Sequence, residues 1–578
     1  MSKPLFIPVD FDPFTKGELQ STVPTTESQQ EIWLSVQMGD DANCAFNLSV
    51  VLNLSGSLNI EALHFAISAI VQRHESLRST FSPDGCQLCI APSIKFDIPL
   101  ISLEEVSIDE QKLAWQRIQA DAVNEPFDLI WGPVFRVKLI RLSPQEHRLL
   151  FTAHHIIFDG WSLGVFYAEL STLYNAKKRG EIPKIPDVVP FSEYAILSQQ
   201  QMRTEAYLLA ENYWLNRLNP PVPPLNLPTD RAYPQERSFK ADRENWEIPA
   251  TTIVPLKKIG MSQGATFMIT LTAAFEVFLY SLTQQSDFVL GIAIAGQSVS
   301  DKLQLIGHCV NLLPSRTQIN PGITFLDYLR GRSDILMSDI EHHQLTFGSL
   351  LKKLKLSRQP NRIPLISIRF NVDRVTKPQQ LHLDGLTVES SIGPRYYENF
   401  ELFIDGLETE NKLVLRCYYN TDLFEAQTIS SYLQEFEKLL KKMVDNPQLA
   451  IAQYAELLSP EIQARCLQIP HESSVANINK NGTITPLLEQ RTTPKTVLAI
   501  DALETKLIEI WENILQTQPI SVEDDFFDLG GNSLLMIILS VEIEKHFAIK
   551  LPLRSLFSAS TIEELAKIIR QKKWLFRT

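Results

Sequence analysis

The stretch "FTAHHIIFDGWS", Phe151 to Ser162, places two histidines side by side at the end of an apolar run, followed by Asp159 and Gly160. The apolar run over residues 148–155 predicts a β-strand, and the Asp-Gly pair that follows predicts a tight turn. Because neighbouring side chains of a strand point to opposite faces, His154 and His155 have different tasks. One faces a cleft and the other packs inward, while Asp159 lies close enough to orient an imidazole or to pair with a cation. The residues alone also fit a buried, hydrogen-bonded histidine pair without chemistry.

This stretch lies in the first of two zones of alternating helical and strand patterns. Together the two zones predict an α/β fold with two lobes. Residues 1–22 are an N-terminal arm, and residues 23–217 form the first lobe, where "IEALHFAISAIVQRHESLRSTF" has apolar residues at helical spacing. Residues 218–460 form the second lobe, and its "ATFMITLTAAFEVFLYSL" predicts a buried helix. Six prolines in residues 218–234 predict an extended crossing between the lobes.

The last part of the chain has a different composition. Residues 461–500 are polar and aperiodic, which is typical of a linker, and residues 501–578 predict a small helical domain. In "DDFFDLGGNSLLMI" a Gly-Gly pair precedes an apolar helix, so Ser533 falls at or near the N-terminus of that helix. Free N–H groups and the helix dipole favour an attached phosphate there. An N-capping serine is the alternative, although no Glu or Gln follows three residues later to complete a capping box.

Composition limits the class of protein. The 578 residues are too many for one core, and 44% hydrophobic with 21% charged residues is typical of a globular protein. A net charge of −13 argues against a nucleic-acid partner, which would require a basic stripe. Without a signal-peptide pattern or an apolar run of ~18 residues, we predict a cytoplasmic location and no membrane contact. The six cysteines are scattered, and Cys86 and Cys89 lack a second pair, so we predict reduced thiols and no metal site.

Two signatures in this order resemble a known family. "HHIIFDG" matches the H-H-x-x-x-D-G signature of nonribosomal peptide synthetase condensation domains, and "DLGGNSLL" resembles the phosphopantetheine attachment site of peptidyl carrier proteins. Other stretches resemble further condensation motifs: "TESQQEIW", "RHESLRSTF", "LPTDRAYP", "IGHCVNLLPSR" and "YNTDLF". The resemblance covers about residues 23–460 and 501–575. It implies two chloramphenicol-acetyltransferase-like lobes in a V around a tunnel, followed by a helical-bundle carrier domain.

The resemblance also implies a chemistry and its residues. An amine acceptor, carried on 4′-phosphopantetheine attached to Ser533, attacks a donor acyl or peptidyl thioester on an upstream carrier protein. His155 is implied as the active histidine, His154 as the structural one and Asp159 as the organiser. Either His155 after protonation or a backbone N–H near Gly160 would stabilise the tetrahedral intermediate. A phosphopantetheinyl transferase is the implied partner that modifies Ser533.

The sequence departs from the family pattern in places. Many members have Arg where this chain has Gln297, which leaves the partner of Asp159 open, and Asn532 stands where His or Asp usually precedes the serine. Only a few tens of residues separate the two regions, where a full module holds an adenylation domain of several hundred, and no nucleotide-binding loop occurs. We therefore predict that a separate adenylation enzyme loads the carrier in trans. The segment 37–47 resembles condensation domains that follow polyketide modules, which implies a polyketide or fatty acyl donor.

Other functions fit the same residues. Ester formation with a hydroxyl acceptor is the nearest enzymatic alternative. A non-catalytic scaffold, in which the carrier recruits a tailoring enzyme, is disfavoured by intact His155 and Asp159 but kept open by Gln297. An epimerisation domain normally follows its carrier, and the order is reversed here. A heterocyclisation domain would replace the first histidines with Asp, so "HHIIFDG" argues against it.

Overall fold

The computed structural model describes residues 19–299, 303–354, 356, 361–374, 381–409, 412–467, 501–515, 517–526, 529, 533–549, 551, 555–556, 559 and 561–575. The chain divides into two compact units, Met1–Ile469 and Pro470–Thr578.

The first unit alternates helices and strands, as the sequence predicts. Its strands are β1 (Ser21–Pro24), β2 (Asn47–Gly56), β3 (Ser79–Phe81), β4 (Gln87–Ile90), β5 (Leu100–Ser102), β6 (Phe135–Ser143), β7 (Glu146–His154), β8 (Ala241–Pro249), β9 (Asp287–Ala295), β10 (Val310–Gln318), β11 (Ile368–Arg374), β12 (Leu386–Ile392), β13 (Leu402–Glu408) and β14 (Lys412–Asn420). Its helices are α1 (Glu27–Val36), α2 (Asp40–Cys44), α3 (Ile60–Arg73), α4 (Ile108–Asn124), α5 (Gly160–Arg179), α6 (Phe191–Gln201), α7 (Glu205–Arg217), α8 (Ala250–Ser262), α9 (Phe267–Thr283), α10 (Gly296–Val299), α11 (Phe325–Glu341), α12 (Phe347–Lys353), α13 (Ala426–Asp445), α14 (Ile451–Glu456) and α15 (Pro460–Cys466).

The histidine strand β7 lies inside the sheet of the first lobe. The strand order there is β12–β2–β7–β6–β5, and β7 pairs antiparallel with both β2 and β6. A strand covered by neighbours and packed on both faces is almost continuously apolar, which explains the run "LLFTA". The chain's first part also forms a smaller sheet, in the order β1–β4–β3.

The second lobe is built on the sheet β10–β9–β11–β13–β14–β8. The predicted buried helix is confirmed as α9, in which every residue from Ile269 to Thr283 is buried. An apolar surface all round a helix requires packing on every side. α9 meets this by contacting α8, α11, α13, α14, α15 and β11.

Two segments connect the lobes. Residues 219–239, all of them described, form neither helix nor strand, in agreement with the predicted crossing. The second connection is β12, which lies in the sequence of the second lobe but pairs with β2 of the first, with Leu386 opposite Gly56. The first lobe's sheet therefore includes a strand from the segment that we predicted as the second lobe. The first unit also continues through α15, where Ile462 joins the core, a few residues into the predicted linker.

The second unit is the small helical domain that the sequence predicts. Its described helices are α16 (Ala502–Leu515), α17 (Ser533–Phe547) and α18 (Ile562–Leu575). Trp511 packs edge-on against Phe526 in the core, with ring centroids 4.8 Å apart. α17 begins at Ser533, as predicted, whereas Gly530, Asn532 and the Ser533 side chain lie outside the described residues.

No single helix among the described residues is long and apolar enough to cross a membrane. α8 and α9 pass that test only as a pair, bent by 102°.

Candidate active site

The histidine pair lies where β7 turns towards α5. β7 ends at His154, one residue earlier than predicted, so strand alternation alone does not set the direction of the next side chain. His154 is fully buried, and its ring packs against Phe46 and Phe127 with centroids 5.7 and 6.1 Å away. Its Nδ1 accepts a hydrogen bond of 3.2 Å from the Ile156 N–H. Burial lowers the pKa of His154 to about 3, so this ring is neutral and helps to shape the turn.

His155, the next residue, has a different environment. Its backbone N–H donates to the Phe46 carbonyl at 2.7 Å, which fixes the chain, while its side chain is half-buried. Burial, then the nearby His308, Arg369 and Arg395, lower the pKa of His155 well below its usual value. The imidazole is therefore neutral at pH 7, which is the form that accepts a proton.

Asp159 is fully buried and caps α5. The carboxylate accepts hydrogen bonds from the Ser162 N–H (2.8 Å), the Ser162 hydroxyl (2.7 Å) and the Cys309 N–H (3.0 Å). The Gln297 amide donates to it as well, with Nε2 2.8 Å from Oδ2. Burial raises the pKa of Asp159, and these donors oppose that effect. The partner that the sequence left open is thus a neutral amide.

Gly160 is the first residue of α5, and it is exposed. No atom lies within 4 Å of the place that a Cβ would occupy, so the space in front of this helix N-terminus is open. The first N–H groups of a helix have no partner within the helix and carry partial positive charge.

The second lobe contributes a histidine that sequence analysis missed. His308 is buried, and its Nδ1 lies 3.2 Å from Nδ1 of His155. The two rings are nearly perpendicular, at 79°. The signal was present, because His308 lies inside the motif "IGHCVNLLPSR", but only the fold brings that motif to the end of β7.

Other contacts between the lobes surround the site. Trp161 Nε1 donates to the Leu303 carbonyl at 2.9 Å, and the Gly307 N–H donates to the Ser162 hydroxyl at 3.0 Å. The start of α5 in one lobe is therefore fixed to the loop before β10 in the other. No group of three or more His, Cys, Asp or Glu side chains in the described part of the chain could hold a metal ion.

Comparison with known proteins agrees with this architecture. The family model of the Condensation domain matches residues 19–465, and that of the Phosphopantetheine attachment site matches residues 505–569. The chain belongs to the condensation domain family. Its condensation domain is thus followed by a carrier domain, with only residues 466–504 between the two matches, and no adenylation domain is matched. Condensation domains of nonribosomal peptide synthetases are acyltransferase-type enzymes.

Relatives at the sequence level are large synthetases. The chain is 30% identical over 467 residues to surfactin synthase subunit 1 of Bacillus subtilis (strain 168), covering 79% of this chain and 13% of that protein. It is 28% identical over 476 residues to tyrocidine synthase 3 of Brevibacillus parabrevis, covering 82% of this chain and 7% of that protein. The chain therefore spans a small part of these relatives' length.

Solved structures share the fold. The X-domain from teicoplanin biosynthesis aligns with a TM-score of 0.68 at 22% identity, over 76% of this chain and 99% of that one. The condensation domain from the monacolin K polyketide synthase MokA aligns with a TM-score of 0.67 at 20% identity, over 75% and 100%.

The carrier domain is a site of covalent 4′-phosphopantetheine attachment to a serine. Ser533 lies within the matched residues and begins α17, a helix of 15 residues. The positive end of such a helix suits a phosphodiester, so the position fits the group.

Proposed function

We propose that this chain forms an amide bond between two carrier-bound substrates. The donor is an acyl or peptidyl thioester on an upstream carrier protein, and the acceptor is an amine on the chain's own carrier domain, attached through Ser533. The observation that carries the proposal is His155, a neutral and half-buried imidazole at the junction of two lobes, beside the first turn of α5.

A neutral imidazole can take the proton that the attacking amine must lose. The amine nitrogen attacks the donor carbonyl carbon, a C–N bond forms, and the proton passes to Nε2 of His155. The C–S bond then breaks, and the departing thiolate takes the proton back. Atoms and charge balance without a further reactant, and phosphopantetheine supplies only the thiol on which a substrate travels.

Asp159 and Gly160 support this step in different ways. Asp159 holds the first turn of α5 through Ser162 and connects it to Cys309 of the other lobe. Gly160 exposes the N-terminus of α5, whose N–H groups suit the negative oxygen of a tetrahedral intermediate. His154 keeps the turn in shape.

Loading of the carrier in trans is part of the proposal. The segment between the two family matches is too short for an adenylation domain, and the sequence lacks a nucleotide-binding loop. Partners of the chain are therefore an upstream acyl- or peptidyl-carrier protein, such as one of a polyketide synthase, a separate adenylation enzyme and a phosphopantetheinyl transferase.

The test installs the acceptor without adenylation. A phosphopantetheinyl transferase and glycyl-coenzyme A convert apo-Ser533 to the glycyl carrier, and a panel of acyl thioesters from acetyl to dodecanoyl on a separate carrier protein serves as donor. Mass spectrometry of the intact chain reads both loading and acyl transfer. We expect transfer by the parent chain, no loading of Ser533→Ala, and for His155→Ala normal loading with transfer reduced about 10²–10⁴-fold, the usual contribution of a general base.

Matched variants separate the alternatives. His154→Ala should lower thermal stability, with any rate loss following the loss of fold, because its ring is enclosed by Phe46 and Phe127. Glycolyl-coenzyme A replaces the acceptor amine by a hydroxyl, so faster transfer to the glycolyl carrier would favour ester formation. Full transfer by His155→Ala would contradict the role of His155, and no transfer from any donor would favour the scaffold.

A further inference from the structure

The loop that carries His308 belongs to the second lobe and is held against the first lobe by several contacts. The Ile306 carbonyl accepts from the Ser76 hydroxyl at 2.7 Å, and the N–H groups of Gly307 and Cys309 donate to Ser162 and Asp159, each at 3.0 Å. A Cβ on Gly307 would meet the Phe191 ring at 2.3 Å, so only glycine lets this ring pack on the loop. The His308 backbone therefore has little freedom, which limits the positions that its ring can occupy.

The contact between His155 and His308 requires a defined proton. Burial, with a contribution from Arg369, lowers the pKa of His308 to about 3, so both rings are neutral at pH 7. Two neutral imidazoles whose Nδ1 atoms lie 3.2 Å apart can form a hydrogen bond in which one nitrogen donates and the other accepts, and the two tautomers set its direction. The direction of this bond decides which nitrogen of His155 keeps its lone pair.

We propose that His308 is a positioning residue that accepts the Nδ1–H of His155 and so leaves the lone pair on His155 Nε2. This inference rests on the proposed function, because the tautomer matters for catalysis only if His155 acts as the base. A histidine that accepts a proton at Nε2 must carry its own proton on Nδ1. The second lobe thus sets the tautomer of a histidine that the first lobe supplies. When His155 gains a proton during the reaction, its Nδ1–H still donates to His308, so the ring does not have to move.

Two variants of His308 distinguish a hydrogen-bonding role from packing. His308→Leu fills a similar space with an apolar side chain and removes the Nδ1 acceptor. His308→Asn places an oxygen, which can accept a hydrogen bond, near the position of Nδ1. Histidine-selective ¹⁵N NMR of the full chain at pH 7 reports the tautomer, and the His155 signals among the 11 histidines are assigned by their loss in His155→Ala. This readout needs no substrate.

We expect the Nδ1–H tautomer of His155 in the parent chain and in His308→Asn, and a shift towards the Nε2–H tautomer in His308→Leu. In the glycyl transfer assay, kcat of His308→Leu should fall at least ~10-fold, and by no more than the ~10²–10⁴-fold that a general base contributes. KM for the donor carrier should stay unchanged. His308→Asn should recover most of the rate.

The outcomes separate this inference from the proposed function. An Nε2–H tautomer in the parent chain, or an unchanged tautomer in folded His308→Leu, overturns the role of His308. A shifted tautomer in a protein that transfers no acyl group supports the role of His308 and contradicts the proposed function. If His308→Leu does not fold, His308→Asn decides the matter, because loss of the Nδ1–H tautomer there would contradict the hydrogen bond and its retention would support it.

Discussion

At the scale of single residues, Asp159 shows what a buried carboxylate requires. Its donors come from both lobes: Ser162 from the helix that it caps, and Gln297 and Cys309 from the second lobe. Each hydrogen bond to a buried charge replaces water, so an unpaired oxygen would be costly. The neutral amide of Gln297 places no positive charge beside Asp159, and the cations Arg369 and Arg395 lie near His155 instead.

The Gln297→Leu substitution should therefore destabilise the first unit. It removes the amide that donates to Asp159, and leaving a buried charged acceptor with fewer donors costs about 1–3 kcal/mol. Urea unfolding, monitored by tryptophan fluorescence, measures this decrease in the free energy of unfolding. In a double-mutant cycle with Asp159→Asn the cost of Gln297→Leu should shrink, because the charge that needs the donor is absent. Equal costs in both backgrounds would show that Gln297 acts through packing.

At the scale of secondary structure, α1 of the first lobe is fastened to α12 of the second. Glu31 accepts from the Gly348 N–H at 2.7 Å, and Glu27 accepts from Ser349 and from Thr346, the latter at 3.2 Å. Burial is the largest cause that raises the pKa of Glu31 to about 7, and the Gly348 N–H opposes it. We therefore expect the connection between α1 and α12 to depend on pH.

The sign of this pH dependence follows from linkage. Between the ordinary glutamate pKa of 4.5 and about 7 the folded chain holds a proton on Glu31 that the unfolded chain has lost, so stability falls as pH rises through this window. We expect the parent chain to lose about 1 kcal/mol relative to Glu31→Gln between pH 6 and pH 8. Urea unfolding of both proteins at the two pH values tests this. The comparison cancels the opposite contribution of His154 and His308, whose lowered pKa values make stability rise with pH towards 6.5.

Local patterns in the sequence predicted most elements but not their long-range pairing. The helical spacing of residues 60–73 corresponds to α3, and the apolar run of residues 265–282 corresponds to α9. Both were predictable because the spacing of apolar residues along a segment indicates whether one face or every face of a helix is buried. The pairing of β12 with β2 joins Ile392 to Val50 across more than three hundred residues, and no local pattern encodes it. The contact of His155 with His308 was missed for the same reason, although the motifs around both were recognised.

At the scale of the whole molecule, the order of the two family matches sets what we expect the chain to do unaided. A condensation domain and a carrier domain are present, with only residues 466–504 between their matches. Amide formation from thioesters needs no ATP, because the energy is stored when the thioesters are made. Activation of the acceptor is a separate reaction that needs a nucleotide site.

The purified chain, with Ser533 converted to the phosphopantetheine form, should therefore not catalyse ATP–pyrophosphate exchange with any amino acid. The sequence has no P-loop or other nucleotide-binding loop, and residues 466–504 are too few to form an adenylation domain. An adenylation enzyme of known activity is the positive control for the exchange assay. The glycyl carrier made from glycyl-coenzyme A is the second control, because it shows that the same preparation accepts an acceptor and transfers the acyl group once activation is bypassed. Exchange that depends on this chain alone would contradict loading in trans, whereas transfer without exchange would assign activation to a separate enzyme and bond formation to this one.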